Sequence, residues 1–214
     1  MITLYAITDH PAPPVPGPGG AHVVASADLA AVCGPASAGG QVTAEGLYEH
    51  ERIVEALMDD RDVLPVRYGT RLPDEAAAAR ALADNHDAYA ASLERVRGAV
   101  EVAVRAFAGD GPPASGPASP DGPVTGSEYL RARARRAADE AEARALVHEP
   151  LAGAARAATL AAVNRPGELL RAAYLIDREA VTSFSARVSA IQAANPRLRV
   201  TCTGPWPPYS FATP

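Results

Sequence analysis

Histidine and cysteine are the side chains most able to hold a metal or act as a nucleophile, and in this chain they are scattered. The histidines, His10, His22, His50, His86 and His148, include no pair at the HxH or HxxxH spacing that brings two imidazoles to one metal. His50 stands on an apolar helical stripe, three residues after Leu47 and four before Val54, the place of a hydrogen-bonded core histidine. Cys33 and Cys202 are far apart, and Cys202 alternates with Leu198 and Val200 on one strand face, as a small buried hydrophobe does. All 20 basic residues are arginine, which excludes Schiff-base lysine chemistry and a phosphate-loop lysine. Neither GxGxxG nor GxxxxGK[ST] occurs, so no nucleotide cradle is expected. The run Arg131 to Arg136 fans around a helix axis and meets Asp139, Glu140 and Glu142 one turn later, the pattern of a solvated face. No catalytic residue, metal ligand or cofactor contact is expected from this set.

Two segments point instead to binding. In Leu64-Pro65-Val66-Arg67-Tyr68-Gly69-Thr70 a proline interrupts a strand, which restricts it to a sheet edge or the proline to the strand's start, and an arginine sits among apolar neighbours. A guanidinium there is expected to find a carboxylate or several carbonyls. In Gly204-Pro205-Trp206-Pro207-Pro208-Tyr209-Ser210-Phe211 prolines hold the chain extended, so three aromatic rings are presented at low entropic cost. The candidate partner-binding residues are therefore Pro65, Arg67, Tyr68 and Gly69, and Trp206, Pro207, Tyr209 and Phe211. Whether the terminal segment packs on its own sheet or on a partner is open at this level.

These segments need a scaffold. Residues 2–8 form an apolar, β-branched run, and 21–33 supply one or two further strands or a strand and a turn. Thr43 caps a helix to about Asp60, 62–70 is a short strand ending in a glycine turn, and Pro73-Asp74-Glu75 opens a helix that Gly98 ends. Val100, Val102, Val104 and Ala106 alternate with Glu101, Ala103 and Arg105, the period of a strand. Ser127 caps a long helix that Pro150 restarts or kinks, 151–162 is helix or strand, and 169–177 is a strand apolar on both faces and so central. A helix from Val181 and a strand over 198–202 lead into the terminal segment. The second half thus follows the order of a ferredoxin-like split βαβ sandwich. The class is α+β, two small α/β sandwich domains over 1–97 and 98–214, with a mobile loop at 109–126 and an aromatic and proline tail at 204–214.

Composition bounds the function further. With 48% hydrophobic residues, of which alanine contributes 48 positions in 214, the core is alanine-padded and its helices closely packed. No window approaches the roughly 18–20 apolar residues of a membrane span, and MITLYAITDH lacks a signal peptide's cationic start, so a soluble, cytoplasmic chain with reduced cysteines is expected. A net charge of −5 argues against a nucleic-acid partner.

The segments VLPVRYGT after a helix carrying YEHERIVEAL, the YLRARARR helix, HEPLAGAARAATLAAVNRP, AAYLIDREAVTSFSARV and the terminal TGPWPPYSF, in that order, resemble the gas vesicle accessory proteins of the F/L family. The resemblance spans nearly the whole chain, and GPWPPYSF is its most specific element. The departures are the Gly/Pro insertion at 109–126 and the Pro/Gly loop at 11–20, which leave the motif segments intact. The resemblance implies two α/β domains with ferredoxin-like folds and a cytoplasmic accessory role in building gas vesicles. It implies contact with the small, hydrophobic shell protein, gas vesicle protein A, and with other accessory proteins, and no catalytic residues. F and L members are not separated by these motifs. The competing expectation is a small-molecule-binding protein or enzyme on the same scaffold, which a pocket converging on His50, Arg67 and Tyr68 would favour.

Because closure entropy grows only logarithmically with loop length, and the 109–126 insertion lacks apolar anchors, replacing it with a short Gly/Ser connection should leave the melting temperature within a few degrees. A collapse in soluble yield would show that the segment packs.

Overall fold

The computed structural model describes residues 1–10, 20–36, 43–109 and 126–212. Most of the expected loops at 11–20 and 109–126 therefore lies outside the described residues. The chain divides into two compact units, Met1–Glu101 with Trp206–Pro214, and Val102–Pro205. This differs from the division at 97/98 read from the sequence: the first residues of the strand over 99–108 and the whole end of the tail belong with the N-terminal unit.

The first unit is built on β1 (Ile2–Asp9), β2 (His22–Ser26), β3 (Leu29–Pro35), β4 (Val63–Pro65) and β5 (Arg71–Leu72), in the order β2-β3-β1-β4 with β5 also on β1. β1 and β3 run antiparallel from Ile2↔Pro35 to Asp9↔Leu29, and nearly every residue of both is buried. Short β4 lies at the edge, where Pro65 removes no needed ladder bond. Three helices pack on this sheet: α1 (Ala44–Asp60), α2 (Glu75–Asp84) and α3 (His86–Val96). Thr43 accepts from Gly46 N at 3.1 Å and Asp74 from Ala77 N at 2.8 Å, two side-chain caps worth about 1 kcal/mol each. The continuous helix expected after Pro73 is broken at Asn85, whose side-chain amide donates to Ala81 O at 2.9 Å, the competition with backbone that asparagine brings to a helix.

The buried stripe of α1 is His50, Ile53, Val54, Leu57 and Met58, so Leu47, expected to share it, lies outside and is half exposed. His50 bonds the Val66 carbonyl through Nε2 at 2.8 Å, and its ring lies 5.3 Å from Tyr5 and 5.5 Å, edge-on, from Tyr68. Tyr68 in turn lies so close over Gly46 that a side chain there would strike its hydroxyl. The segment after β4 is thus bound to α1 through one imidazole and one ring.

The second unit contains most of β6 (Ala99–Ala108), with α4 (Gly126–Ala143), α5 (Glu149–Ala152), β7 (Ala157–Leu160), β8 (Glu168–Asp177), α6 (Val181–Ala194) and β9 (Leu198–Trp206). The strand order is β7-β8-β6-β9, with β7 antiparallel to β8. β8 is an inner strand, as its two apolar faces required, and the ambiguous 151–162 stretch ends α5 and then forms edge strand β7. Between α4 and α5 the helix widens to a π-turn at Arg144–His148. There the His148 Nδ1 and Tyr174 hydroxyl share a hydrogen bond of 2.9 Å, and Tyr174 packs on Phe184 at 5.3 Å. Ser127 lies inside α4 and not at its cap, because the helix already begins at Gly126. β9 runs on to Trp206, beyond the expected end at 202, and Cys202 is half-buried in it.

Burial holds the His50 pKa below the ordinary histidine value, so the unfolded chain takes up a proton on acidification that the folded chain resists. The stability His50 contributes is therefore present above about pH 6.5 and lost as the pH falls below it. Denaturant unfolding at pH 7.5 and 5.5 should show a larger acid loss for the wild type than for His50→Gln, whose amide can still donate to Val66 O. Equal losses would show that His50 does not enter the fold neutral.

Candidate functional site

The candidate site starts from a buried carboxylate. Glu101, on the polar face of β6, is 8% exposed, and burial raises its pKa. Both of its oxygens are used: Ser210 N donates to Oε2 at 2.7 Å and Ser210 Oγ to Oε1 at 2.8 Å. These bonds oppose the rise and fix the end of the chain. The Gly204–Pro205 peptide is cis, and Tyr209 N and Phe211 N turn back on the carbonyls of Pro207 and Pro208 at 2.7 and 3.0 Å. Pro207, Pro208 and Phe211 are buried.

Trp206 and Tyr209 are not covered to the same extent, at 42% and 40% exposure. With Pro207, Glu101 and two carboxylates of α1, Glu51 and Glu55, they line a cleft of about 260 Å³ within the first unit. Burial, then the charges of Glu51 and Glu55, push the Tyr209 phenol up to about 12, so it is a neutral donor at any physiological pH. No imidazole or thiol lines this cleft. Aromatic faces beside carboxylates suit the binding of cationic and amide groups.

The segment around Arg67 does not join it. Pro65 is buried in β4, Tyr68 packs on His50 and Gly46, and Gly69 sits in a turn at φ +87° that favours glycine. Arg67 corrects the expectation of a paired guanidinium. The strand stops at Pro65, so Arg67 falls in the following turn, exposed and without a carboxylate partner among the described residues. It acts there through its carbonyl, which accepts from Thr70 N at 3.2 Å and Thr70 Oγ1 at 2.8 Å. His50 and Tyr68 are thus brought together, with Arg67 exposed in the turn beside them. The sequence reading missed the three glutamates. The four-residue spacing of Glu51 and Glu55 marked one helix face, but nothing local could show that Ser210, 109 positions on, would meet Glu101.

Compared with known proteins, residues 2–213 match the profile of the family described as gas vesicle synthesis protein GvpL/GvpF. The chain is similar to gas vesicle protein L of Streptomyces sp. (strain CB03234), 35% identical over 189 residues covering 79% of this chain and 69% of that one. Gas vesicle protein F of the same strain is 27% identical over 187 residues, covering 77% and 76%. The fold matches the crystal structure of the gas vesicle protein GvpF from Anabaena sp. PCC7120 at a TM-score of 0.81 and 19% identity, covering 100% of this chain and 96% of that one. These matches agree with the α+β class of two sheets with helices.

Phe211 is an anchor and Trp206 is largely a surface ring. Phe211→Ala should therefore lower stability by about 3 kcal/mol, as Phe truncation in a core does. Trp206→Ala should cost less than about 1 kcal/mol. Denaturant melts of the two variants check this, and equal losses would show that the whole tail is core.

Proposed function

The chain belongs to the gas vesicle synthesis protein GvpL/GvpF family, and from that premise we propose that it is a non-catalytic assembly factor that binds the hydrophobic shell protein, gas vesicle protein A, and other accessory proteins in the cytoplasm during vesicle formation. The observation that carries the binding role is the cleft with Trp206 and Tyr209. Two large rings remain 42% and 40% exposed although Phe211 and the Glu101–Ser210 bonds hold the segment rigidly. Rings held in place before a partner arrives lose little entropy on binding, and exposed aromatic residues are the usual anchors of protein interfaces. The turn at Arg67 to Gly69, also exposed in part and tied to α1, is a second candidate contact. No helix among the described residues is long and apolar enough to cross a membrane.

A shell subunit dominated by apolar surface needs cover until it joins a growing edge, and aromatic grooves supply it without chemistry. The test is capture of purified shell protein by the wild type and by Trp206→Ala/Tyr209→Ala. The double variant should keep its melting temperature within a few degrees and lose at least tenfold in binding. Undiminished capture by a folded double variant would remove the cleft from the shell contact and leave the Arg67 turn as its place.

A further inference from the structure

The cleft has a counterpart on the same chain. Of the eighteen residues of α4, only Ala143 is buried, and its outer surface carries Arg131, Arg133, Arg135 and Arg136 beside the exposed side chains of Tyr129 and Leu130, at 55% and 63%. Arg136 is paired with Glu140 at 2.8 Å, whereas Arg131 and Arg135 have no carboxylate partner among the described residues. Those two are four apart, so they project from one helix face about 5–6 Å from each other. Ala134 and Ala138, on the same face, leave room for a ring to approach the backbone.

Glu51 and Glu55 have the same spacing on α1, and like Arg131 and Arg135 they have no ion-pair partner among the described residues. Two carboxylates and two guanidiniums at matching helical intervals are complementary in sign and in register. The Trp206 and Tyr209 faces add a platform on which a guanidinium stacks. We propose that the cleft of one copy takes Arg131 and Arg135 of helix α4 from a second copy, a head-to-tail contact between unlike surfaces. With a small cleft and exposed ion pairs, the contact is weak and salt-sensitive.

Sedimentation equilibrium of the purified full chain, with no shell protein present, tests the proposal separately from the function above. Trp206, the only tryptophan, reports on the cleft by its emission. At low salt the average mass should rise with concentration above 22.1 kDa, the Trp206 emission should shift in parallel, and high salt should reverse both. Glu51→Arg/Glu55→Arg and Arg131→Glu/Arg135→Glu should each lose at least tenfold in association. Mixed in equal amounts they should recover it, because the charge-swapped cleft then meets the charge-swapped helix. Should a reversal variant fail to fold, the Gln pairs at the same positions supply the loss. A wild type that stays monomeric at all concentrations, variants that associate as it does, or folded variants whose mixture stays apart would overturn the proposal. So would a monomeric wild type whose Trp206 emission shifts on adding a tetra-arginine peptide, which would assign the cleft to a basic segment of another protein.

Discussion

A carboxylate removed from water has to be either protonated or fully hydrogen-bonded, and Glu101 imposes that condition on the end of the chain. It is 8% exposed on β6, and the donors that satisfy it come from Ser210. To bring Ser210 there, the tail must leave β9, turn twice on its own proline carbonyls and place Phe211 in the first unit. Removing the serine would leave a buried acceptor unpaired, at a cost of about 1–3 kcal/mol. Tyr209 precedes the fixed serine directly, and Trp206 stands where β9 ends and the tail turns.

The rings of the cleft are held by their neighbours: Phe211 is buried and Ser210 is bound to Glu101, while Trp206 and Tyr209 keep 42% and 40% of their surface exposed. Glu51 and Glu55 add charge without bonds to one another or to a cation among the described residues, and the raised Tyr209 pKa keeps the phenol a donor beside them. A site for acid–base catalysis would pair groups whose environments push their pKa values toward neutrality and apart. Here burial raises Glu101, and burial with the charges of Glu51 and Glu55 raises the Tyr209 phenol to about 12.

Much of the architecture was legible because periodicity is local. The alternation over 100–106, the apolar run of β8, the cap at Thr43 and the helix opening at Pro73-Asp74-Glu75 all appear where residue spacing put them. The errors arose where a local pattern met a distant partner. Arg67 reads as a strand residue because Leu64 to Tyr68 is β-prone, but although Val66 N still donates to Tyr5 O of β1, the Val66 carbonyl goes to His50 and the chain turns from Arg67 to Thr70. Asn85 interrupts an alanine-rich helix by a side-chain bond that propensity alone does not weigh. The tail motif was visible as eight residues, yet the decision between inward packing and exposure was divided residue by residue, with Phe211 buried and Trp206 and Tyr209 half exposed, and the bonds of Ser210 to the distant Glu101 were not legible locally.

The placement of charge bears on how copies of the chain would combine. An acidic cleft in the first unit and a basic helix in the second are unlike surfaces, so a contact between them cannot be of the self-complementary, two-fold kind. Each contact made head to tail leaves one cleft and one helix unused, and growth continues unless the rotation between copies closes a ring. Weak links in such a series still accumulate, since copies held together raise the effective concentration of the surfaces they leave uncovered, the Arg67 turn among them, toward a surface that repeats. A shell built from many identical subunits is such a surface. Single contacts too weak to survive alone would then suffice where subunits are densely packed and release where they are not.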